Sequence, residues 1–514
     1  MKKLSALLIA LFAVVGLSAC ATNGGQTGTG DTPTGAANDH LVVVVGGLPV
    51  SMDPHASNDM FTSYFSHQIY DTLVRLDPDD LSNVQPLLAV SWDMPDTQTL
   101  DMQLRDDVYF HNGERLTASD VRFSLLRAKN SPHVGFILGM IDDVIVHDDL
   151  NFTITLVEPF TPILNHLGHF GTSILHEATV TAAGDAFHNN PVGTGAFQFE
   201  SIVLGDRIEL TRFDNFWGPA PAFEGMTWRA MPEATNRLIE VETGHAQVAI
   251  IIDPNDVARA EASDSVAMHR RQSLQALYLG LNTQIEPFDD VLVRQAINYA
   301  LDIETISRVV YEGTGTPATG AVTGIVWGAY PQAPFPHDIE RARDLMVQAG
   351  LEDGFSTVLW YNTEDQQAGD MANLIQNQLM DIGINVSLES LEWSTFLERT
   401  AVGDQEMFML SWFTVTGDAD YGLFDTQHSS GFGAGNRTFF STPELDALLE
   451  EGRTNPDPAR RMEVYREAQR IIHSESPRIY IHHAEELHAT SPNLRNVILH
   501  PDGRIDLWSV YFAN

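Results

Sequence analysis

Three scarcities frame this chain of 514 residues: it has one cysteine, three lysines and few long apolar runs. With Cys20 alone, no disulfide forms within the chain and no multi-cysteine metal site is available. The lysines are Lys2, Lys3 and Lys129, and 29 Lys+Arg face 69 Asp+Glu for a net charge of -40. A surface of that sign repels a phosphate backbone, which argues against a nucleic-acid partner. Catalytic and nucleotide signatures are also missing. There is no GxxxxGK[ST], no GxSxG and no HExxH. Gly313-Thr314-Gly315 lacks dinucleotide-binding spacing and opens no expected helix. A serine triad is spatial and leaves no fixed trace in sequence.

What is present begins at the N-terminus. Lys2 and Lys3 precede an apolar run from Leu4 to Leu17 that is short for a bilayer span. The run ends in Leu17-Ser18-Ala19-Cys20, which resembles a bacterial lipobox. The expectation is a signal peptide over 1–19, cut before a Cys20 that then carries lipid. Residues 20–39 are rich in Gly, Thr and Ala and cannot bury a core, so they read as a flexible tether reaching roughly 25 Å. No later segment is long and apolar enough to span a bilayer.

The chain is 43% hydrophobic with 26 Phe, 12 Tyr and 8 Trp, enough for two or three domains or lobes. The run 40-HLVVVVGG-47 reads as the first strand, 60–77 as helical, and 85–94 and 99–113 as strands closed by a turn at His111-Asn112-Gly113. Thr117, with Asp120 three residues on, marks the start of a helix to Lys129. Residues 195–213 read as a hairpin turning at Gly205-Asp206, 233–252 as helix then buried strand, 277–282 as strand and 288–302 as helix. Strand, helix and strand follow over 356–362, 370–383 and 384–393. Helices at 443–454 and 457–476 and a strand at 478–484 complete the pattern. Alternation of this kind predicts α/β lobes.

The stretch 411-SWFTVTGDADYGLF-424 reads instead as a loop that holds something. It carries two acids and no base, which excludes a phosphate, and two carboxylates are too few for a hard cation. Trp412 and Tyr421 are candidate walls, Asp418 or Asp420 a candidate partner for an ammonium, and Arg437 a candidate fork for a carboxylate. Each has a plainer reading: Trp412 as core, Asp418 as an Asx-turn, Asp420 as a helix cap and Arg437 in a structural pair. Gly193-Thr194-Gly195 reads as a structural turn. Of the 19 histidines, His482-His483 is the only adjacent pair, and neighbours on a strand point to opposite faces, so a structural role is expected. His55, His67 and His111 are further candidates for meeting in space.

Four blocks, in order, resemble the dipeptide/oligopeptide/nickel family of extracytoplasmic solute-binding proteins of ABC importers. They are 51-SMDPHASNDMFTSYFSHQIYDTLVRLD-77, the segment from Pro86 to Ala128, 190-NPVGTGAFQF-199 with Asn215-Phe216-Trp217-Gly218, and 277-LYLGLNTQIEPFDDVLVRQAINYALD-302. The segments 411–424 and 432–449 are most similar to the glutathione- and short-peptide-binding members. The resemblance implies a two-lobed, hinged α/β fold of the periplasmic-binding-protein kind in its large form. It divides the body into lobe I (40–78, 191–285 and 484–514), an inserted subdomain (79–190) and lobe II (286–483), with crossings near Thr283–Pro287 and His483–Glu486. It implies a receptor without covalent chemistry or cofactor, extracytoplasmic and monomeric. Such a receptor would be lipid-anchored and would deliver a short peptide to permease subunits with separate ATPases. The implied ligand contacts are Trp412, Asp418, Asp420, Tyr421, Arg437, Asn282 and His55. One departure stands out: the family's dipeptide binders carry an amine-anchoring aspartate where this chain has Val415. A nickel or metallophore receptor of the same fold is the alternative, and a surface hydrolase a remoter one.

The excess of acid with scarce lysine fits either a protein working in high salt or replacement of Lys by Arg in a GC-rich genome. The first predicts that self-repulsion is screened by salt. The melting temperature, followed by circular dichroism, then rises from dilute buffer to molar NaCl, whereas a salt-independent value leaves only the second reading.

Overall fold

The computed structural model describes residues 39–363 and 365–513. The expected signal peptide, Cys20 and all of the tether up to Asn38 lie outside the described residues. Strand β1 (His40–Val45) opens the body as expected. The following helix, Met60–Ile69, is shorter than the 60–77 expectation. Asp59 caps it by accepting from Thr62 N, and Tyr70 leaves helical space at φ −122° and ψ 155°. The Tyr70 hydroxyl donates to Met52 O at 2.8 Å, which fixes the exit. The chain then forms a hairpin of β2 (Val74–Asp77) and β3 (Asp80–Pro86).

Four strands build a separate antiparallel sheet: β4 (Ala89–Asp96), β5 (Thr99–Leu104), β6 (Ile141–Val146) and β7 (Asn151–Leu156), in the order β4-β5-β7-β6. The strand expected over 99–113 stops at Leu104, and the turn at 111–113 is made with Gly113 at φ 86°. Helix Ala118–Lys129 packs on β6 and starts with the expected capping box between Thr117 and Asp120.

The remaining strands are β8 (Phe197–Val203), β9 (Arg207–Arg212), β10 (Gly225–Ala230), β11 (Val248–Ala249), β12 (Ala267–Leu281), β13 (Thr316–Pro317), β14 (Phe355–Asn362), β15 (Ile384–Leu391), β16 (Met407–Phe413) and β17 (Arg478–Thr490). With β1 they form one eleven-stranded sheet in the order β15-β14-β16-β12-β17-β11-β1-β10-β9-β8, with β13 added on β17. Strands β12 and β17 extend well beyond the expected 277–282 and 478–484. They pair antiparallel from Ala267↔Thr490 to Gly280↔Arg478, with register shifts between Gln272 and Ala276 and between Leu277 and Tyr278. One lobe is built on β1 and β8–β11, the other on β14–β16, and the two long strands run through both. This is the two-lobed α/β architecture anticipated from the sequence.

Each lobe has its own core. One joins Leu41, Val43 and Val45 to the four-stranded sheet through Phe65, Leu100 and Ile154. The other packs Leu359, Ile384 and Met407 against helices Val291–Ala300 and Gln366–Leu379. A third cluster carries Leu76 and Leu81 of the β2–β3 hairpin against Ala419, Leu423 and Tyr465. His482 and His483 are both buried and engaged: His482 Nδ1 lies 2.8 Å from Ser307 Oγ, and His483 Nε2 lies 3.0 Å from Gly320 O.

Gly193-Thr194-Gly195 locks three segments together. A Cβ on Gly193 would stand 2.1 Å from Ile69 O, and Gly195 N donates to that carbonyl at 2.8 Å. Thr194 Oγ1 donates to Asp71 Oδ2 at 2.8 Å. His111 binds the turn at both ring nitrogens: Nδ1 accepts from Gly193 N at 3.2 Å and Nε2 donates to Gly195 O at 3.0 Å. A second proton would cost the Gly193 bond, and burial holds the ring down to about 4. The unfolded chain takes up this proton near 6.5, so the native state loses stability as pH falls from about 6.5 to about 4, by up to about 3 kcal/mol. Urea titrations across that range are expected to show a flatter pH dependence for His111→Gln than for the parent chain.

Candidate functional site

A cavity of about 180 Å³ lies where the lobes meet. Four stretches of chain line it. The turn into the first helix gives Asn58, Asp59, Met60, Ser63 and Tyr64. The second stretch gives His169 and Phe170, and the third gives Ser411, Trp412, Phe413, Val415 and Tyr421. Asp502 comes from the C-terminal segment.

The segment 411–424, expected as one loop, divides. Residues 411–413 end strand β16, and Ala419–Gln427 is a helix. Pairing with β12 sets Trp412 opposite Ala276, and Gln275 Nε2 donates to Ser411 Oγ at 2.8 Å. The true loop, 414–418, is fixed by Thr414 N donating to Leu274 O and Gly417 N to Thr414 O, with Gly417 at φ 66° against Leu76 and Leu81. This delivers the Trp412 and Tyr421 rings to the same wall, 5.7 Å apart and inclined by 39°. The Tyr421 ring also meets His166, His169 and Phe136 of the facing segment. Burial raises its phenol pKa, and the Asn58 side chain hydrogen-bonds it.

The two aspartates of this segment are held inside their own lobe. Asp418 caps the Ala419–Gln427 helix by accepting from Asp420 N at 2.9 Å, and Arg461 Nη2 donates to both its oxygens at 2.9 and 3.0 Å. Asp420, with 0% of its surface exposed, takes Arg453 in a fork at 3.2 and 2.9 Å. Neither lines the cavity. Arg437 Nη1 donates to Leu397 O at 2.7 Å and to Thr400 Oγ1. Asn282 Nδ2 donates to Gly403 O and Gln405 O. His55 Nε2 binds Ser173 O at 3.0 Å, and burial draws the ring down to about 4. Of the seven expected ligand contacts, the fold brings Trp412 and Tyr421 to the cavity and engages the other five elsewhere. The wall residues overlooked in the sequence come from distant stretches. Their only local marks are the Ser57-Asn58-Asp59 helix-cap cluster and the Pro501-Asp502-Gly503 turn.

Residues 161–165 are hydrogen-bonded to the segments that carry Thr416, Arg453 and Asn455. Thr161 N donates to Arg453 O and Thr161 Oγ1 to Asn455 O, both at 2.9 Å, and Asn165 Nδ2 donates to Thr416 O at 2.8 Å. The Arg453 guanidinium sits 3.3 Å from the centre of the Phe424 ring and 5.2 Å from that of Phe160 on the opposite side.

Set beside known proteins, the chain matches the model of the bacterial extracellular solute-binding proteins, family 5 (middle), over residues 83–434. It is 30% identical over 484 residues to the glutathione-binding protein GsiB of Pectobacterium atrosepticum, covering 92% of this chain and 93% of that one. Two solved structures share its form. The periplasmic binding protein DppA from Helicobacter pylori, in complex with the peptide STSA, has a TM-score of 0.82 at 27% identity and covers 92% of this chain and 98% of its own. A dipeptide binding protein from Pseudoalteromonas sp. SM9913, in complex with Met-Leu, has a TM-score of 0.83 at 25% identity, covering 92% and 100%.

The Asp420–Arg453 pair makes a sharp prediction. Asp420→Ala strands a mostly buried guanidinium and is expected to cost about 3–5 kcal/mol in urea unfolding. Asp420→Leu combined with Arg453→Met leaves no charge unpaired and is expected to cost clearly less.

Proposed function

The chain belongs to the bacterial extracellular solute-binding proteins of family 5, and we propose that it captures short peptides, glutathione included, in the cavity between its lobes for an ABC importer. The observation that carries this reading is the cavity itself. It is walled by Trp412, Tyr421, Tyr64, Phe170 and Phe413, and stretches on both sides of the cleft contribute to it. Aromatic walls give apolar contact to main chain and side chains of many sequences, while a few polar groups orient the solute. A solute bound there touches both lobes at once, so binding and closure are linked. The names of the relatives point the same way: GsiB is a glutathione-binding protein, and the DppA and SM9913 structures hold a tetrapeptide and a dipeptide.

In this proposal the closed form is what permease subunits, driven by separate ATPases, would read. Lipid on Cys20 would hold the receptor at the outer face of the membrane, with residues 20–39 as its tether. The protein would do no covalent chemistry.

Titration calorimetry with di- to hexapeptides, glutathione and nickel–histidine tests the reading. At least one peptide or glutathione is expected to bind, and Trp412→Ala to weaken that binding by tenfold or more, a loss typical of a central aromatic contact. Heat from nickel–histidine with none from any peptide or glutathione would overturn it.

A further inference from the structure

The cavity's charge is one-sided. Two carboxylates, Asp59 and Asp502, line it, and no Lys or Arg does. His169 is buried and accepts from Gly171 N through Nδ1. Two further polar atoms in the wall are buried without a partner: Trp412 Nε1 and the hydroxyl of Tyr64, a residue only 1% exposed.

The two carboxylates differ in what they have left to give. Asp59 is occupied as a helix cap. Its Oδ1 accepts from Thr62 N at 2.9 Å, and its Oδ2 from Ser57 Oγ at 2.6 Å and from Thr62 Oγ1. Asp502 is nearly free. Its Oδ1 takes a long bond of 3.3 Å from Arg504 N, and its Oδ2 lies 3.5 Å from Arg504 Nε. The other Arg504 nitrogens are turned to His67 and His500. The Asp502 side chain keeps 18% of its surface exposed, so a solute reaches it. The Tyr64 hydroxyl sits against the same turn: a Cβ on Gly503, which has φ 84°, would stand 2.2 Å from it.

Resting on the reading of this cavity as a peptide site, we propose that Asp502, with the Tyr64 hydroxyl beside it, anchors a primary ammonium of the ligand and sets specificity for its cationic end. The ammonium supplies the donors that Asp502 and Tyr64 lack, and the Trp412 and Tyr421 rings flank the same space. A ligand carboxylate placed there would meet like charge, so it is directed away. Asp418 and Asp420 are saturated by Arg461 and Arg453, and Val415 offers no charge, which leaves Asp502 as the cavity carboxylate with only long bonds to its neighbours.

The test is calorimetry on the full chain with three pairs of probes: glutathione, trialanine, and each of these N-acetylated, plus N-acetyl-lysyl-alanine and its side-chain-acetylated form. N-acetylation is expected to weaken the better of glutathione and trialanine by tenfold or more. Asp502→Asn is expected to weaken the unmodified probe to the same degree and to leave the acetylated probe unchanged. Binding of N-acetyl-lysyl-alanine that is lost on side-chain acetylation and in Asp502→Asn would support the anchor and assign it a side-chain ammonium. Equal binding of free and acetylated probes by the unaltered chain would overturn the proposal without recourse to a variant. So would a folded Asp502→Asn protein that binds the free amine as before. Failure of both unmodified probes and of the wider peptide panel to bind would instead remove the peptide reading itself.

Discussion

A carboxylate removed from water is tolerated only where a cation is fixed beside it, and Asp420 is removed from water completely. Its partner, Arg453, is therefore not free to move, and much of the cleft is organised around that pair. The guanidinium forks onto Asp420 and lies on the Phe424 ring, while the Arg453 carbonyl accepts Thr161 N from the facing segment. The helix that carries Asp420 carries Tyr421 next to it, so the position of a wall ring follows from the position of a buried charge. Asp418 repeats the device two residues earlier with Arg461, whose guanidinium also lies 4.5 Å from the Trp327 ring centre. The loop 414–418 is thus tied by Asp418 at one end and by Thr414 N on Leu274 O at the other.

The same pairs explain what was and was not readable from the residues. That Asp418 might bond its own backbone is a local matter, two residues in range, and it was legible as an Asx-turn. That Arg461 and Arg453 would claim both carboxylates was not, because nothing in a helix 33 to 43 residues further on marks which acid it will meet. Trp412 and Tyr421 were legible as walls because large rings among glycines seldom serve a core alone. Asp59, Tyr64 and Asp502 were not, since the fold gathers them from opposite ends of the chain. Among the strands, apolar runs such as 40–45 announced themselves. The outer half of β12, with His269, Arg270 and Arg271, did not. Its backbone is satisfied by β17, while its charges are met by Glu261, Glu485 and Asp79, so no hydrophobic alternation was required there.

The division of charge matters for selectivity. The chain is strongly acidic overall, yet Asp418 and Asp420 beside the cavity are each paired with an arginine, and Asp59 is held by Ser57 and Thr62. Asp502 differs from these acids in that its bonds, to Arg504 N and Nε, are long at 3.3 and 3.5 Å. Recognition of one end of a short solute by charge, and of the rest by rings and main-chain contacts, separates orientation from sequence preference.

The two sides meet through a few hydrogen bonds and through the apolar packing of Leu76 and Leu81 against Ala419 and Leu423. Thr161 and Asn165 supply three of these hydrogen bonds, each worth about 1 kcal/mol net. Strands β12 and β17 join the two sides, and their ladder is interrupted between Gln272 and Ala276 and between Leu277 and Tyr278. An interrupted ladder bends at little expense, so the sheet does not by itself dictate one lobe angle. Trp412 and Tyr421 stand on one wall of the cavity and Tyr64 and Asp502 on another, so a solute that fills it would touch both.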